Sequence, residues 1–136
     1  MKKFYVASSF KNIDMVRLVS KRLVEKGFIH TYDWMRNERA STIEALKEIG
    51  LEEKNAVLAA DFIIVLLPAG KGSHIEFGIA LGQQKRIYLY SPNEDINNFE
   101  TTSTFYHLSA VKILTGTIDE LIGEVTKDQA KGAPVE

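Results

Sequence analysis

The sequence predicts a single-domain, three-layer α/β fold in which a mostly parallel, five-stranded sheet carries helices on both faces. Short apolar runs recur along the chain, segments with helical spacing of apolar residues separate them, and glycine, proline or polar clusters lie at the junctions. Strands that alternate with helices favour right-handed crossovers and a parallel sheet buried on both faces. The 136 residues, 45% of them hydrophobic, suffice for one such domain.

The first third of the chain is expected to form a strand, a helix and a second strand. Phe4–Ala7 is continuously apolar, as in a strand buried on both faces. Apolar residues over 16–24 recur at helical spacing, and Gly27 is a natural helix end. Residues 28–32 suggest a second strand, and the polar loop that follows holds the only tryptophan, Trp34.

The middle of the chain is expected to form a long helix, the clearest strand and a third helix. Residues 41–44 read as a capping box that opens the long helix, which Gly50 is expected to break or kink. Residues 62–67 form an apolar run that a proline closes, as expected for a buried strand. A glycine-bearing loop then leads into a helix over 73–84.

The last third is expected to complete the sheet. Residues 86–90 and 111–114 read as the fourth and fifth strands, whereas 94–108 predict at most one short helix. Residues 117–127 have one apolar helical face, and the polar tail over 128–136 is expected to fray. The domain therefore spans 1–127, and its five alternating strands suit a flavodoxin-like strand order.

Composition argues against several classes of protein. Seventeen Lys and Arg against 18 Asp and Glu give a net charge of −1, whereas binders of nucleic-acid polymers need a basic surplus. The chain has no cysteine, and its three histidines lack metal-ligand spacing, so we expect no metal site. No apolar run approaches the roughly 20 residues of a membrane span, and the N-terminal run is too short for the core of a signal peptide. We therefore expect a cytoplasmic protein without a membrane partner.

The loop after the third predicted strand is the strongest candidate site. Ligands of open α/β sheets bind beyond the carboxyl ends of the strands, where strand order reverses. Gly70 and Gly72 let backbone approach a ligand closely, and the next helix presents N–H groups to it. Glu76, expected in that helix's first turn, can attack a sugar carbon there. The pattern alone leaves a second interpretation open, because Ser73 to Glu76 is also a capping box in which Glu76 only bonds back to the Ser73 backbone.

The motifs of several other α/β proteins are absent from the sequence. The phosphate-binding motif Gly-x4-Gly-Lys-Ser/Thr is absent, and the loop over 8–12 has no glycine for a dinucleotide fingerprint. No serine lies in a Gly-x-Ser-x-Gly elbow.

On its motifs, the chain resembles the nucleoside 2-deoxyribosyltransferase-like superfamily, which includes deoxynucleoside 5′-monophosphate N-glycosidases. The similarity runs from Lys3 to about Leu114. Its most specific part matches the family segment Gly-x-x-x-Glu-hydrophobic-Gly-x-Ala. The matching segments are Phe4–Phe10, Ala60–Val65 and Gly72–Ala80.

The resemblance implies roles for three residues. Glu76 corresponds to the nucleophile that attacks the anomeric carbon, and Tyr5 to the tyrosine that positions it. Glu53, eight residues before Asp61, takes the place of the acid that assists the leaving base. A glutamate there replaces the usual aspartate and moves the carboxyl group by about 1.5 Å. A solvated helix residue beside Glu52 is the alternative interpretation of Glu53.

Six further side chains are candidates for substrate binding. Hydroxyl groups and one cation are expected to contact a 5′-phosphate or 5′-hydroxyl, and two aromatic rings to stack on the base or wall it. Each also has an alternative interpretation as a turn cap, a solvated residue, a loop anchor or core. They are Ser8, Ser9, Ser73, Lys11, Trp34 and Phe10.

The resemblance implies double displacement on a small-molecule nucleoside or nucleotide, with no cofactor and no metal, in a homo-oligomer. Hydrolysis of nucleoside 5′-monophosphates is favoured over base transfer, because Gly70 stands where exchange enzymes often carry an aspartate. Two alternatives stay open. Pro68–Glu76 also resembles the Pro-Gly-Gly-x-Gly-Thr-x-x-Glu motif of cytokinin-activating phosphoribohydrolases, and a non-catalytic nucleotide- or nucleotide-sugar-binding module can share the fold. A purely structural role ranks third, since the sequence shows no apolar face beyond that of the core.

Overall fold

A five-stranded parallel sheet forms the middle layer of the protein. The computed structural model describes residues 2–36 and 40–131. The strands lie in the order β2-β1-β3-β4-β5, and every pair of neighbours is parallel. This arrangement confirms the predicted flavodoxin-like fold. The strands are β1 (Lys3–Ala7), β2 (Ile29–His30), β3 (Phe62–Leu66), β4 (Arg86–Tyr90) and β5 (Val111–Leu114).

Helices cover both faces of the sheet. On one face α1 (Ile13–Glu25) contacts α4 (Ile118–Ala130), and on the other α2 (Ile43–Ala59) contacts α3 (Lys71–Gly82). All five residues of β3 are buried as a result, which explains its continuous apolar run. Among the described residues, none of the helices combines the length and the apolarity that crossing a membrane requires.

The reversal of strand order lies between β1 and β3. The chain leaves β1 towards the β2 edge and leaves β3 towards β4, while β1 and β3 pair directly with Tyr5 opposite Ile63. Their carboxyl ends therefore lie side by side, with the two outgoing loops diverging around a crevice.

Two helices differ from their predicted course. The long helix α2 runs unbroken through Gly50, so the predicted kink is wrong. A glycine inside a helix costs only about 1 kcal/mol, and burial of Ala56 and Val57 on the same helix outweighs this cost. Helix α3 begins at Lys71 instead of Ser73, because Gly70 is the extended residue that precedes the helix.

The C-terminal third also differs from the predictions. Helix α4 ends at Ala130, three residues beyond the predicted end, because Asp128 and Gln129 both hydrogen-bond to the Tyr88 hydroxyl. Two short 3₁₀ helices, Glu94–Asn97 and Thr104–His107, replace the single helix expected over 94–108. The rest of the predicted tail, 132–136, and residues 37–39 of the polar loop lie outside the described residues.

Candidate active site

A cavity of about 300 Å³ opens at the carboxyl ends of β1 and β3. Its walls come from the loop after β1, the 34–36 turn, the middle of α2, and the start of α3. The volume is at the lower end of the range for small-molecule sites. The lining residues are Ser8, Ser9, Phe10, Trp34, Glu53, Gly70, Gly72, Ser73 and Glu76.

Glu76 and Tyr5 form a buried pair at this cavity. The Tyr5 hydroxyl donates a 2.7 Å hydrogen bond to Oε2 of Glu76, which is only 8% exposed. Because α3 begins at Lys71, Glu76 lies in its second turn, not in the first turn as predicted. Glu76 therefore does not cap the helix, and the capping-box interpretation is wrong. Ser73 occupies the capping position instead, where its Oγ accepts a 3.4 Å hydrogen bond from the Gly70 N–H.

Burial sets the ionisation of the pair. It raises the pKa of Glu76 to about 7; the Tyr5 hydrogen bond opposes this rise and the nearby Glu53 carboxyl adds to it. Burial and the charge of Glu76 also raise the pKa of Tyr5, which keeps its hydroxyl protonated as a donor. A carboxyl group with a pKa near neutrality in a cavity is typical of a functional site.

Glu53 supplies a second carboxyl group to the same cavity. It is half-buried on α2, and burial followed by the charge of Glu52 raises its pKa. A carboxyl group with a raised pKa keeps its proton to higher pH than a free one, which suits a general acid. The alternative interpretation of Glu53 as a solvated helix residue does not describe its position, because its side chain lines the cavity.

Two aromatic rings form the outer wall. Trp34 is 5% exposed, and its indole N–H donates a 2.7 Å hydrogen bond to the Val6 carbonyl, which anchors the 34–36 turn to β1. Phe10 meets Trp34 edge to face at 5.1 Å and is 62% exposed. Trp34 is therefore both a loop anchor and part of the wall, whereas Phe10 is a wall residue and not core.

Polar side chains tie together the two loops that flank the cavity. The Ser8 hydroxyl donates to the Leu66 carbonyl at 2.8 Å. The Asn12 amide donates to Ser8 Oγ at 3.2 Å and to the Leu67 carbonyl at 3.3 Å. Asn12 was not among the site residues predicted from the sequence. Its only signal was an amide side chain at the junction of the loop and α1, a common place for bonds to neighbouring backbone.

The predicted site residues come together with one exception. All nine residues that line the cavity were predicted, and Tyr5 contacts Glu76 from β1. Lys11 is exposed and does not line the cavity. Among the described lining residues none is basic, and the ionisable groups are the two carboxyl groups. Over residues 2–36 and 40–131, no group of three or more His, Cys, Asp or Glu side chains is arranged to hold a metal ion.

Fold and site together define a doubly wound α/β protein with two carboxyl groups at its topological switch point. No protein-family model matches the sequence, and no curated protein matches it.

The solved structures that share the fold include a characterised enzyme and a conserved protein. The CMP N-glycosidase BcmB of Clostridium botulinum is 19% identical, with a TM-score of 0.60 over 91% of this chain and 98% of its own. A conserved protein of Enterococcus faecalis V583 is 17% identical, with a TM-score of 0.69 over 93% of this chain and 98% of its own. Both similarities agree with the fold predicted from the sequence.

Proposed function

We propose that the protein cleaves the N-glycosidic bond of a nucleoside or a nucleoside 5′-monophosphate. The observation that carries the proposal is the buried Glu76, which accepts a hydrogen bond from Tyr5 and faces a cavity that Glu53 also lines. A buried carboxyl group lowers stability unless it is neutral or well paired, so its placement at a ligand-sized cavity favours a chemical role. Similarity of fold to a CMP N-glycosidase supports the same reaction class.

The reaction proceeds by double displacement. The ionised Glu76 carboxylate attacks C1′, the electrons of the C1′–N bond pass to the base, and protonated Glu53 donates its proton to the leaving nitrogen. The product is a glycosyl ester on Glu76. Water then attacks C1′ and returns a proton to Glu53, the ester C–O bond breaks, and Glu76 is regenerated as a carboxylate. Tyr5 holds one carboxylate oxygen, Oε2, which leaves the other for attack.

Hydrogen-bond donors at the start of α3 suit the sugar or its 5′-phosphate. Gly72 and Ser73 lie in the first turn, where backbone N–H groups lack helical partners and attract anions. Ser9 adds a hydroxyl, whereas the Ser8 hydroxyl already donates to Leu66. Helix N–H groups and hydroxyls would therefore hold a phosphate without a lining cation, and the exposed Phe10 ring would stack on the base.

We favour water over a second base as the acceptor. Gly70 lines the cavity without a side chain, so this position offers no carboxylate to orient an incoming base. Base exchange would then be slower than hydrolysis, even when a second base is supplied.

The test is chromatographic detection of free base. The protein is incubated with ribo- and deoxyribonucleosides and their 5′-monophosphates, with and without a second base. We expect base release by the wild type and loss of release in Glu76→Gln. Glu48→Gln is the matched control, because it makes the same change at an exposed position of α2. If the wild type binds nucleotides but releases no base, the protein is a non-catalytic nucleotide-binding module.

We also propose that the chain forms a homo-oligomer. Helix α2 exposes four large apolar side chains by 38% to 63%, and Ile75 on the adjoining α3 is 66% exposed. These exposed side chains differ from the prediction that the chain has no apolar face beyond that of the core. Light scattering after size exclusion tests the proposal, and a monomer at micromolar concentration would overturn it. The α2 residues are Ile43, Leu46, Leu51 and Leu58.

A further inference from the structure

The segment between β4 and β5 contacts the helix that carries Glu76. Tyr106, in the short helix Thr104–His107, is 7% exposed, and its hydroxyl lies 2.6 Å from Nε2 of His74. The Tyr106 ring also meets Phe77 edge to face at 5.8 Å. Tyr106 thus contacts α3 at two positions, on either side of Glu76 in the chain.

His74 connects Tyr106 to a residue of the cavity wall. Its Nδ1 lies 2.8 Å from the Gly70 carbonyl, which also accepts the His74 backbone N–H at 3.1 Å. A carbonyl only accepts, so Nδ1 carries the proton. In the neutral ring Nε2 then accepts, and the Tyr106 hydroxyl donates. The result is one directed chain from Tyr106 through His74 to Gly70, a residue that lines the cavity.

We propose that His74 is a positioning residue, whose imidazole links Tyr106 to the Gly70 carbonyl and so holds the start of α3, and with it Glu76, against the cavity. The catalytic side of this inference rests on the proposed function. Small displacements of a reacting group reduce rate more than binding, so the link is expected to act on kcat.

Two substitutions each remove the hydrogen bond between Tyr106 and His74. His74→Asn places its amide near Nδ1, keeps the bond to Gly70 and loses the bond to Tyr106. Tyr106→Phe removes the same bond from the other side. We expect each to lower kcat by about fivefold, as for one hydrogen bond, with little change in KM. The double variant should be no slower than either single variant, because both remove one interaction.

His74→Gln tests the other half of the link. Its amide reaches the Nε2 position, so it keeps Tyr106 and loses Gly70, and we expect a loss of similar size. His107→Asn and Tyr90→Phe are the controls. These controls change a histidine and a tyrosine away from the cavity. His107 hydrogen-bonds to Thr102, and the Tyr90 hydroxyl donates to the Gly116 carbonyl. Both controls should keep the wild-type kcat.

Titration of Glu76 by NMR of carbon-13-labelled protein separates this proposal from the proposed function. Loosening α3 hydrates Glu76, so His74→Asn and Tyr106→Phe should lower its pKa, whereas the controls should not. A lower pKa in a protein that releases no base upholds the positioning role and refutes the activity. Unchanged kcat and titration, or multiplied losses in the double variant, would overturn the positioning role.

Discussion

Replacing Glu76 by Gln is expected to stabilise the protein, and only above acidic pH. Burial raises the pKa of Glu76 from 4.5 to about 7, so the folded state binds this proton more tightly than the unfolded chain. At about 1.4 kcal/mol per pKa unit, the ionised side chain lowers the free energy of unfolding by about 3 kcal/mol above pH 7 and by nothing below pH 4. Gln is neutral throughout and can still accept the Tyr5 hydrogen bond.

Urea unfolding at several pH values measures this difference, with fluorescence of the single, buried Trp34 as the probe. The variant should exceed the wild type by about 3 kcal/mol at pH 8, or about 10 °C in Tm, and the gap should close by pH 4. Glu48→Gln, on the exposed surface of α2, should show no such gap. Equal gaps at pH 4 and pH 8, or a less stable variant at pH 8, would refute the account of Glu76.

Three further predictions follow from the same contacts. kcat/KM should rise with pH as Glu76 ionises near pH 7, and Tyr5→Phe should move this rise to higher pH by removing a donor to ionised Glu76; Glu53→Gln, which also removes the general acid, should lower the pKa of Glu76 in a carbon-13 NMR titration by removing a negative neighbour. Phe10→Ala should raise KM about tenfold while leaving Tm nearly unchanged, because its ring is 62% exposed. Asp128→Asn should cost about 2 kcal/mol at pH 7 in urea unfolding. Burial alone would raise the pKa of Asp128, but hydrogen bonds from Tyr88 and the Arg86 guanidinium lower it overall. The wild type should therefore lose this stability as the pH falls below 3.8.

The strands were predictable because each buried strand is an apolar run with a clear end. Arg86–Tyr90 and Val111–Leu114 have the predicted bounds. Helix ends were harder, since they depend on partners far away in the chain. In the sequence the last residues of α4 resemble a polar tail. In the structure Asp128 forms an ion pair with Arg86 at 3.1 Å, a partner that the local sequence does not indicate. Residues 94–108 contain two 3₁₀ helices, which are too short to produce a recognisable spacing of apolar residues in the sequence.

The candidate site was more predictable than the contacts that support it. Most of its lining residues follow the ends of β1 and β3, which the rule for switch points selects before any side chain is placed, whereas Glu53 on α2 was found only through the resemblance. Asn12 and Tyr106 were missed because their partners are set by tertiary packing. Asn12 bonds to a carbonyl 55 residues away, and Tyr106 to a side chain 32 residues away.

The bond between Tyr5 and Glu76 joins residues 71 positions apart, one on β1 and the other on the helix after β3. Neither the first β-α unit nor the third contains the site alone, so the pair forms only when these two strands lie side by side. Catalytic activity would then indicate that β1 and β3, which are distant in the sequence, have paired. During refolding, base release should return only after β1 has paired with β3, however early the separate helices form.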